Sequence, residues 1–243
     1  GIANSFTAET SKGSVTGTLN LAYKLQDDVL AYATYSRGYK AGGLNLSNIN
    51  TVGNLAVNPV VGPETIDAYE LGLKSAWFDK RLTANLALFW TEDSNYQTTQ
   101  VNLINNVSSL TNAGKVRSRG VEVDLQAQPT ADLSLYASAT YDDASYLRYK
   151  NAPCAIEVRT TGTCDLSGRR LPGPPLWAAS AGGEYSHAIA EVGGHVARAY
   201  LGADYSYRSA VFTTAADSIY SRIPDYGLLN LRLGVRAEDG AWD

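Results

Sequence analysis

The sequence has 243 residues, of which 44% are hydrophobic, and a net charge of −4 at neutral pH. It has no continuous apolar run of about 18 residues, which excludes a transmembrane helix, and no basic stripe, which argues against nucleic acid as a partner. Its 16 tyrosines and 4 tryptophans suit a membrane–water boundary, where an amphipathic ring keeps one end dry. They suit a soluble β-sandwich equally well.

Nine segments alternate apolar with polar residues, which is the period-2 pattern of a β-strand with two unlike faces. In one segment Leu82, Leu86 and Trp90 share a face, and Asn85 lies on the other. The predicted strands are residues 14–24, 29–39, 66–77, 81–97, 112–128, 133–146, 176–187, 195–209 and 226–237. In segment 29–39 both the even and the odd positions contain apolar residues, so the sequence does not show which face of this strand is the apolar one.

The connections between these segments alternate between short and long. The short ones lie near residues 25–28, 78–80, 129–132, 188–194 and 238–242, and the long ones near 40–65, 98–111, 147–175 and 210–225. Short turns at one end and long loops at the other are typical of a membrane barrel with only one end facing the outside of the cell.

The charged residues of the segments collect on one face. They are Lys24, Glu70, Lys74, Glu122, Asp124, Asp142, Glu184, Asp204, Arg208, Arg232 and Arg236. In a soluble β-sandwich the opposite, apolar face would pack on a second sheet. In an outer-membrane barrel the apolar face would meet lipid and the charged face would line the lumen.

Strand length and aromatic spacing favour the barrel. Several segments are much longer than the strands of about 5–6 residues that are usual in globular proteins. Tyr69 and Trp77 stand eight residues apart on one apolar face, as do Trp177 and Tyr185. At about 3.3 Å per residue and about 40° of tilt, each pair spans roughly 20 Å along the membrane normal, close to the apolar band of such barrels. We therefore predict an all-β, antiparallel, up-and-down transmembrane β-barrel.

The number of segments indicates that this barrel is partial. Nine is odd, whereas bacterial single-chain barrels have an even number of strands. An open sheet would also leave two unpaired edges in lipid, where every backbone group needs a partner. We therefore expect the chain to be part of a larger barrel.

Five stretches resemble, in family order, sequences of TonB-dependent outer-membrane receptors. They are residues 32–45 (YATYSRGYKAGGLN), 64–74 (ETIDAYELGLK), 112–124 (NAGKVRSRGVEVD), 171–177 (LPGPPLW) and 225–231 (DYGLLNL). The resemblance implies a barrel of about 22 strands with a plug inside it. Residues 1–243 would then be about nine strands of the barrel domain, with the plug and the final strands outside this chain.

The resemblance also implies uptake of a scarce ligand across the Gram-negative outer membrane, powered by the TonB complex acting through the plug. An iron–siderophore complex is the most frequent ligand class in the family, while vitamin B12, haem and glycans stay open. Two other hypotheses remain, namely a passive porin-like barrel without TonB and a soluble β-sandwich binding module.

No catalytic constellation, cofactor motif or metal-ligand spacing is visible in the sequence. His187 and His195 flank a short turn that contains Glu191, and we interpret them as parts of a solvated hairpin rather than as a metal site. We therefore expect a protein that is not an enzyme and that needs no cofactor.

The candidate ligand contacts form two groups. Those on the predicted lumen face are Glu70, Lys74, Glu122, Asp124, Arg208 and Arg232, and those near the long loops are Tyr39, Lys40, Asn45, Tyr146, Tyr149 and Tyr220. The alternative for the charges is a hydrated wall of paired groups that also faces the plug, and the alternative for the tyrosines is packing in the girdle or the loops.

Four further residues carry separate predictions. Cys154 and Cys164 lie in one polar loop, so we predict a disulfide in an oxidising compartment; two free thiols or half a metal site are the alternatives. Arg117 and Arg119 have lipid-side parity but lie above the apolar band. They are candidates for contact with lipopolysaccharide phosphates, the alternative being exposed charge beside a loop.

Overall fold

A computed structural model describes residues 9–45, 60–102, 107–158 and 163–243. Nine long strands dominate it: β1 (Gly17–Gln26), β2 (Val29–Lys40), β3 (Glu64–Trp77), β4 (Leu82–Ser94), β5 (Lys115–Thr130), β6 (Leu133–Asp142), β7 (Trp177–Val192), β8 (His195–Arg208) and β9 (Tyr226–Ala237). Each pairs antiparallel with its neighbour in sequence, which leaves β1 and β9 at the two edges of the sheet. The predicted up-and-down arrangement of antiparallel strands is confirmed.

Cross-strand register carries each face from strand to strand, because directly opposed residues point to the same side of a sheet. Lys74 of β3 is opposite Leu30, and Glu70 is opposite Thr34. The even positions of β2 therefore join the charged face. Tyr35, opposite Tyr69, joins the apolar face, and the facing that the sequence left open is thereby decided.

The apolar face carries no second layer in the part of the chain that the structure describes. Its side chains stay exposed, up to 81% for Leu233. The buried hydrophobic cluster lies instead among the long loops. A soluble β-sandwich would bury this face against another sheet, so the β-sandwich hypothesis is not supported. A sheet that turns its apolar side to lipid has this exposure pattern.

One end of the sheet has only short turns. Asp27 and Asp28 join β1 to β2, and Gly193 and Gly194 join β7 to β8. The φ angles of these two glycines are 63° and 85°. Positive φ at both central residues gives the twist that matches hairpin strands, and glycine adopts it without strain. The opposite end of the sheet carries all the long loops.

The long loops have secondary structure of their own. Their small hairpins pair Gly43–Leu44 with Val60–Val61, Gln97–Asn102 with Val107–Asn112, and Val211–Phe212 with Arg222–Ile223. A single 3-10 turn, Ile219–Ser221, lies in the last long loop. Within the described ranges, no helix is long and apolar enough to cross a membrane.

Four strands stop three or more residues short of their predicted ends on the long-loop side, among them β1, which begins at Gly17. β4 ends before Asn95, whose φ of 57° turns the chain, and β5 begins after Gly114, whose φ is 83°. β6 ends at Asp142, and Ser145–Arg148 folds back to pair with β5. The outer ends of the predicted strands β4, β5 and β6 therefore belong to the long loops, because a local turn there overrides the alternating pattern.

Candidate ligand-binding site

The charged face of β6 to β9 contains paired groups. Arg232 forms an ion pair with one carboxylate oxygen of Asp204, and the other oxygen accepts a hydrogen bond of 2.6 Å from Tyr136 Oη. Arg236 lies 2.5 Å from Glu184. Exposed pairs of this kind add little stability, but they neutralise both arginines. Arg232 therefore fits the alternative prediction, in which the charges form a hydrated wall of paired groups.

A second group of polar side chains lies on β2 and β3. Tyr32 Oη donates to Glu70 Oε1 at 2.5 Å. Lys74 Nζ is 5.6 Å from the centroid of the Tyr32 ring, which is within cation–π range. The ring lies over Gly72, where a Cβ atom would overlap it. The missing side chain at residue 72 therefore lets Tyr32 lie against the sheet and reach Glu70.

Glu122 and Asp124 of β5 have no such partner. Among the described residues, no basic nitrogen lies within the 4.0 Å ion-pair distance of either carboxylate. Both border an open hollow of about 350 Å³, which Lys74 and Ser138 also line. The structure thus brings three predicted lumen residues to the two sides of β4, Lys74 on β3 and the two exposed carboxylates on β5.

Arg208 lies on the same face at the long-loop end of β8. Its Nη2 donates to the carbonyl oxygen of Gly173 at 2.8 Å. A second hollow, of about 430 Å³, lies beside it and shares Ser138 and Thr140 with the first hollow. The two hollows meet at these two residues and form one trough, whose lining residues come from strands β2 to β9. We call this feature the lumen trough; it is acidic at the β5 end and basic at the β8 end.

Three of the predicted loop contacts have partners within the protein. Lys40 Nζ lies 3.7 Å from Glu64. The side chain of Asn45 donates to the backbone oxygen of Leu110 at 2.7 Å and accepts from its amide at 3.0 Å. Tyr39 Oη donates to a backbone carbonyl of the N-terminal segment at 2.8 Å. Their polar atoms are therefore already engaged within the protein.

For Tyr146 and Tyr149 the structure favours the alternative of packing in the loops over contact with a ligand. They are 1% and 3% exposed and form the centre of the loop cluster with Val116 and Leu166. Burial raises the pKa of the Tyr146 hydroxyl well above its ordinary value. Both rings therefore act as the core of the loop layer. Tyr220 is 78% exposed and stays a candidate contact.

The last two long loops are tied to each other. Cys154 and Cys164 form a disulfide with Cα atoms 5.1 Å apart. Glu157, inside the disulfide loop, accepts hydrogen bonds of 2.8 Å from Ile219 N and from Ser218 Oγ. These bonds, that from Ile219 above all, lower the pKa of the Glu157 carboxyl. Sequence reasoning missed Glu157, because a carboxylate in a polar loop carries no signal of its distant partner.

Arg117 and Arg119 lie above the apolar band on the lipid side. Their guanidinium carbons are 5.1 and 5.6 Å from the Trp90 ring centroid. Their nitrogens lie 3.8 and 3.0 Å from Asp143. Both arginines thus have an aromatic and an anionic partner within the protein, and their contact with lipopolysaccharide stays a prediction.

The two histidines do not converge on a shared site. His187 Nδ1 lies 2.7 Å from Asp132, and His195 Nδ1 lies 2.6 Å from Asp239. The hydrogen bond from each histidine lowers the pKa of the carboxyl group beside it. In the described ranges, no group of three or more histidine, cysteine or acidic residues is arranged to hold a metal ion.

Sequence comparison places this chain among known receptors. It matches the family model described as "TonB dependent receptor-like, beta-barrel" over residues 3–241. It is 30% identical over 146 residues to the ferric-pyoverdine M114 receptor PbuA of Pseudomonas sp. strain M114, covering 60% of this chain and 17% of that protein. It is 26% identical over 181 residues to the probable TonB-dependent siderophore receptor PiuA of Acinetobacter baumannii, covering 73% and 23%.

Solved structures share the fold. The ferric yersiniabactin uptake receptor FyuA from Yersinia pestis has a TM-score of 0.66 and 21% identity, covering 92% of this chain and 30% of that one. PiuA has a TM-score of 0.64 and 21% identity, covering 92% and 29%. The chain spans less than a third of the length of each of these relatives. Because the family model matches nearly every residue, the chain belongs to the TonB-dependent receptor β-barrel family of the Gram-negative outer membrane.

Proposed function

We propose that this chain is part of the membrane wall of a receptor-transporter that takes up a ferric siderophore. The observation that carries the proposal is the family match over residues 3–241. The relatives PbuA and PiuA, described as a ferric-pyoverdine receptor and a probable siderophore receptor, support the ligand class. Since this chain spans only part of those proteins, ligand uptake is inferred for the whole receptor.

The geometry suggests a role for the apolar face, for the long loops and for the lumen trough. The uncovered apolar face would meet lipid, and the long-loop end would face the outside of the cell. The loop residues that the structure describes are bonded to one another and would border the entrance for a ligand, at which Tyr220 is exposed. The lumen trough lies directly below them, on the charged face. Such a wall would hold water and polar ligands, since its hollows are lined with hydroxyl and charged groups.

We further propose that residues 1–243 are one part of the barrel domain and that a plug and the remaining strands lie elsewhere in the protein. TonB would act on the receptor through that plug, and the charged face would border it. The proposal contains no catalytic step. Its partners are TonB, a ferric siderophore and outer-membrane lipid.

Growth under iron limitation tests the ligand class. A strain that lacks the gene should grow more slowly when its ferric siderophore is the only iron source, and the intact gene should restore growth. Siderophores of several chemical classes are supplied one at a time, so that the class is identified by the defect. Unchanged growth of the deletion strain on every ferric siderophore would contradict the proposal.

Uptake of radioactive iron tests the energy coupling. Cells are loaded with the siderophore identified by growth, with and without a working TonB. We expect accumulation to stop when TonB is removed. Accumulation that continues at the same rate would favour the passive, porin-like alternative over a TonB-dependent receptor.

A further inference from the structure

Arg208 differs from the other arginines of the charged face in what it pairs with. Arg232 and Arg236 are paired with carboxylates, and Arg198 pairs with Asp132 and Glu238. The hydrogen bond of Arg208 goes to a neutral carbonyl oxygen. Within the described part of the chain, no carboxylate lies within 4.0 Å of its nitrogens, and its Nε has no hydrogen-bond partner. Its positive charge is therefore not neutralised.

The hollow beside Arg208 has the size and chemistry of a ligand subsite. Its volume of about 430 Å³ lies within the range of small-molecule sites, about 300–1,000 Å³. Its floor consists of small side chains, among them Thr140, Ser180 and Ser206, and Tyr226 stands beside the arginine. No carboxylate lines it among the described residues. Hydroxyl groups and one uncompensated guanidinium are donors suited to an oxyanion.

The opposite end of the lumen trough has the opposite charge. Cross-strand register places Glu122, Thr140, Ala178 and Arg208 in one row across four strands. Three strand spacings of about 4.8 Å separate the two charged residues by roughly 14 Å. That distance exceeds the screening length of about 8–10 Å in physiological salt. The acidic end therefore does not cancel the field at Arg208, and an anion would be attracted at one end only.

We propose that the Arg208 hollow is an anion subsite that receives an oxyanion group of the transported ligand, such as a carboxylate or a catecholate. The guanidinium would form charge-assisted hydrogen bonds to it, and Glu122 and Asp124 would repel the same group from the β5 end. The transported ligand would therefore carry negative charge. This inference rests on the proposed uptake function and specifies the ligand that the same wall selects.

The electrostatic field around Arg208 is tested first, in an experiment that does not require the ligand to be known. Ser206→Cys in the full-length receptor places a thiol two residues from Arg208 on the same face, while Cys154 and Cys164 are protected by their disulfide. Its reaction with a sulfonate-bearing and a trimethylammonium-bearing methanethiosulfonate is timed. Adding Arg208→Gln should slow the anionic reagent and speed the cationic one, each by about 1.5-fold for a unit charge near 7 Å in water at physiological salt. Arg208→Lys should preserve both rates.

A distant charge serves as the matched control. Glu122→Gln should leave both reaction rates of the thiol at residue 206 unchanged, because Glu122 lies farther from that thiol than the screening length. If Arg208→Gln changes neither rate, a carboxylate from elsewhere in the full protein already neutralises Arg208, and the proposal is overturned.

Ligand binding is tested second, on purified full-length receptor. The probes are a triply negative ferric tris-catecholate and an uncharged ferric tris-hydroxamate. Arg208→Gln should weaken binding of the anionic complex at least about tenfold, as loss of a charged hydrogen bond does, and leave the neutral complex unchanged. An equal effect on both complexes would overturn the subsite. If the wild-type receptor binds neither complex, the growth test on the other siderophore classes decides the proposed siderophore function, and the thiol rates decide the anion subsite.

Discussion

An arginine in place of Leu86 would put a charge at the centre of the apolar band. Leu86 is opposite Leu73, which lies four residues from both Tyr69 and Trp77. At about 3.3 Å per residue and about 40° of tilt, each girdle ring is roughly 10 Å away along the membrane normal. An arginine at mid-bilayer costs about 2–4 kcal/mol. The equilibrium between folded and unfolded receptor should therefore shift by about 30-fold to 700-fold.

The neighbouring residue supplies the control, because adjacent strand residues point to opposite faces. Asn85→Arg introduces the same side chain on the charged face, opposite Lys74 and Asp124, and should cost far less. Both variants of the full-length receptor are folded into lipid vesicles and titrated with urea, with the folded fraction read from heat-modifiable gel mobility. Equal losses of stability for Leu86→Arg and Asn85→Arg would refute the assignment of the apolar face to lipid.

Three further changes test the contacts of the wall and the loops. Gly72→Ala should displace the Tyr32 ring and cost about 1–3 kcal/mol in the same urea titration; in a Tyr32→Ala background it should cost less, and an equal loss would contradict the packing. Changing Cys154 and Cys164 to serine should weaken their loop by roughly 3 kcal/mol, from closure entropy over a separation of 10 residues. The measurement is the rate of proteolysis within that loop, and rates equal to those of the oxidised protein would argue against the disulfide's role. Glu157→Gln should speed amide hydrogen exchange in the 3-10 turn that it caps. Because the folded pKa of Glu157 is lowered, its stabilisation is present above the unfolded pKa and is lost as pH falls through the folded pKa. Acid should therefore lower the protection factor of these amides in the wild type, that is, the intrinsic exchange rate at each pH divided by the observed rate. A fall of the same size in the glutamine variant would contradict this assignment.

The strands could be predicted because their signal is local. Alternation along β4, with Leu86 on one face and Asn85 on the other, is sufficient to identify a strand and its two faces. β2 shows the limit of that signal. Both its parities contain apolar residues, and only its pairing with Glu70 and Lys74 assigns its faces. A strand without a contrast between its faces takes its orientation from its neighbours.

The loops could be located but not described from the sequence. The sequence places Tyr146 at the end of a predicted strand and Tyr149 in the long polar connection that follows, yet contacts with residues more than 25 positions away bury both rings. Glu157 likewise accepts a hydrogen bond from a backbone amide 62 positions away. Such contacts leave no period in the sequence, because the energy that selects them depends on which loops meet in space.

The alternation of charged and apolar residues by itself determined which charged residues share a face, and tertiary structure decided what each charge does. The alternation places Arg208 and Arg232 on one face of neighbouring strands and treats them alike. Register then brings Asp204 to Arg232, whereas Arg208 meets only a backbone carbonyl. The free energy of a charge depends on groups within a few ångströms of it. Residues so close in space come from separate strands, and only the folded sheet brings them together.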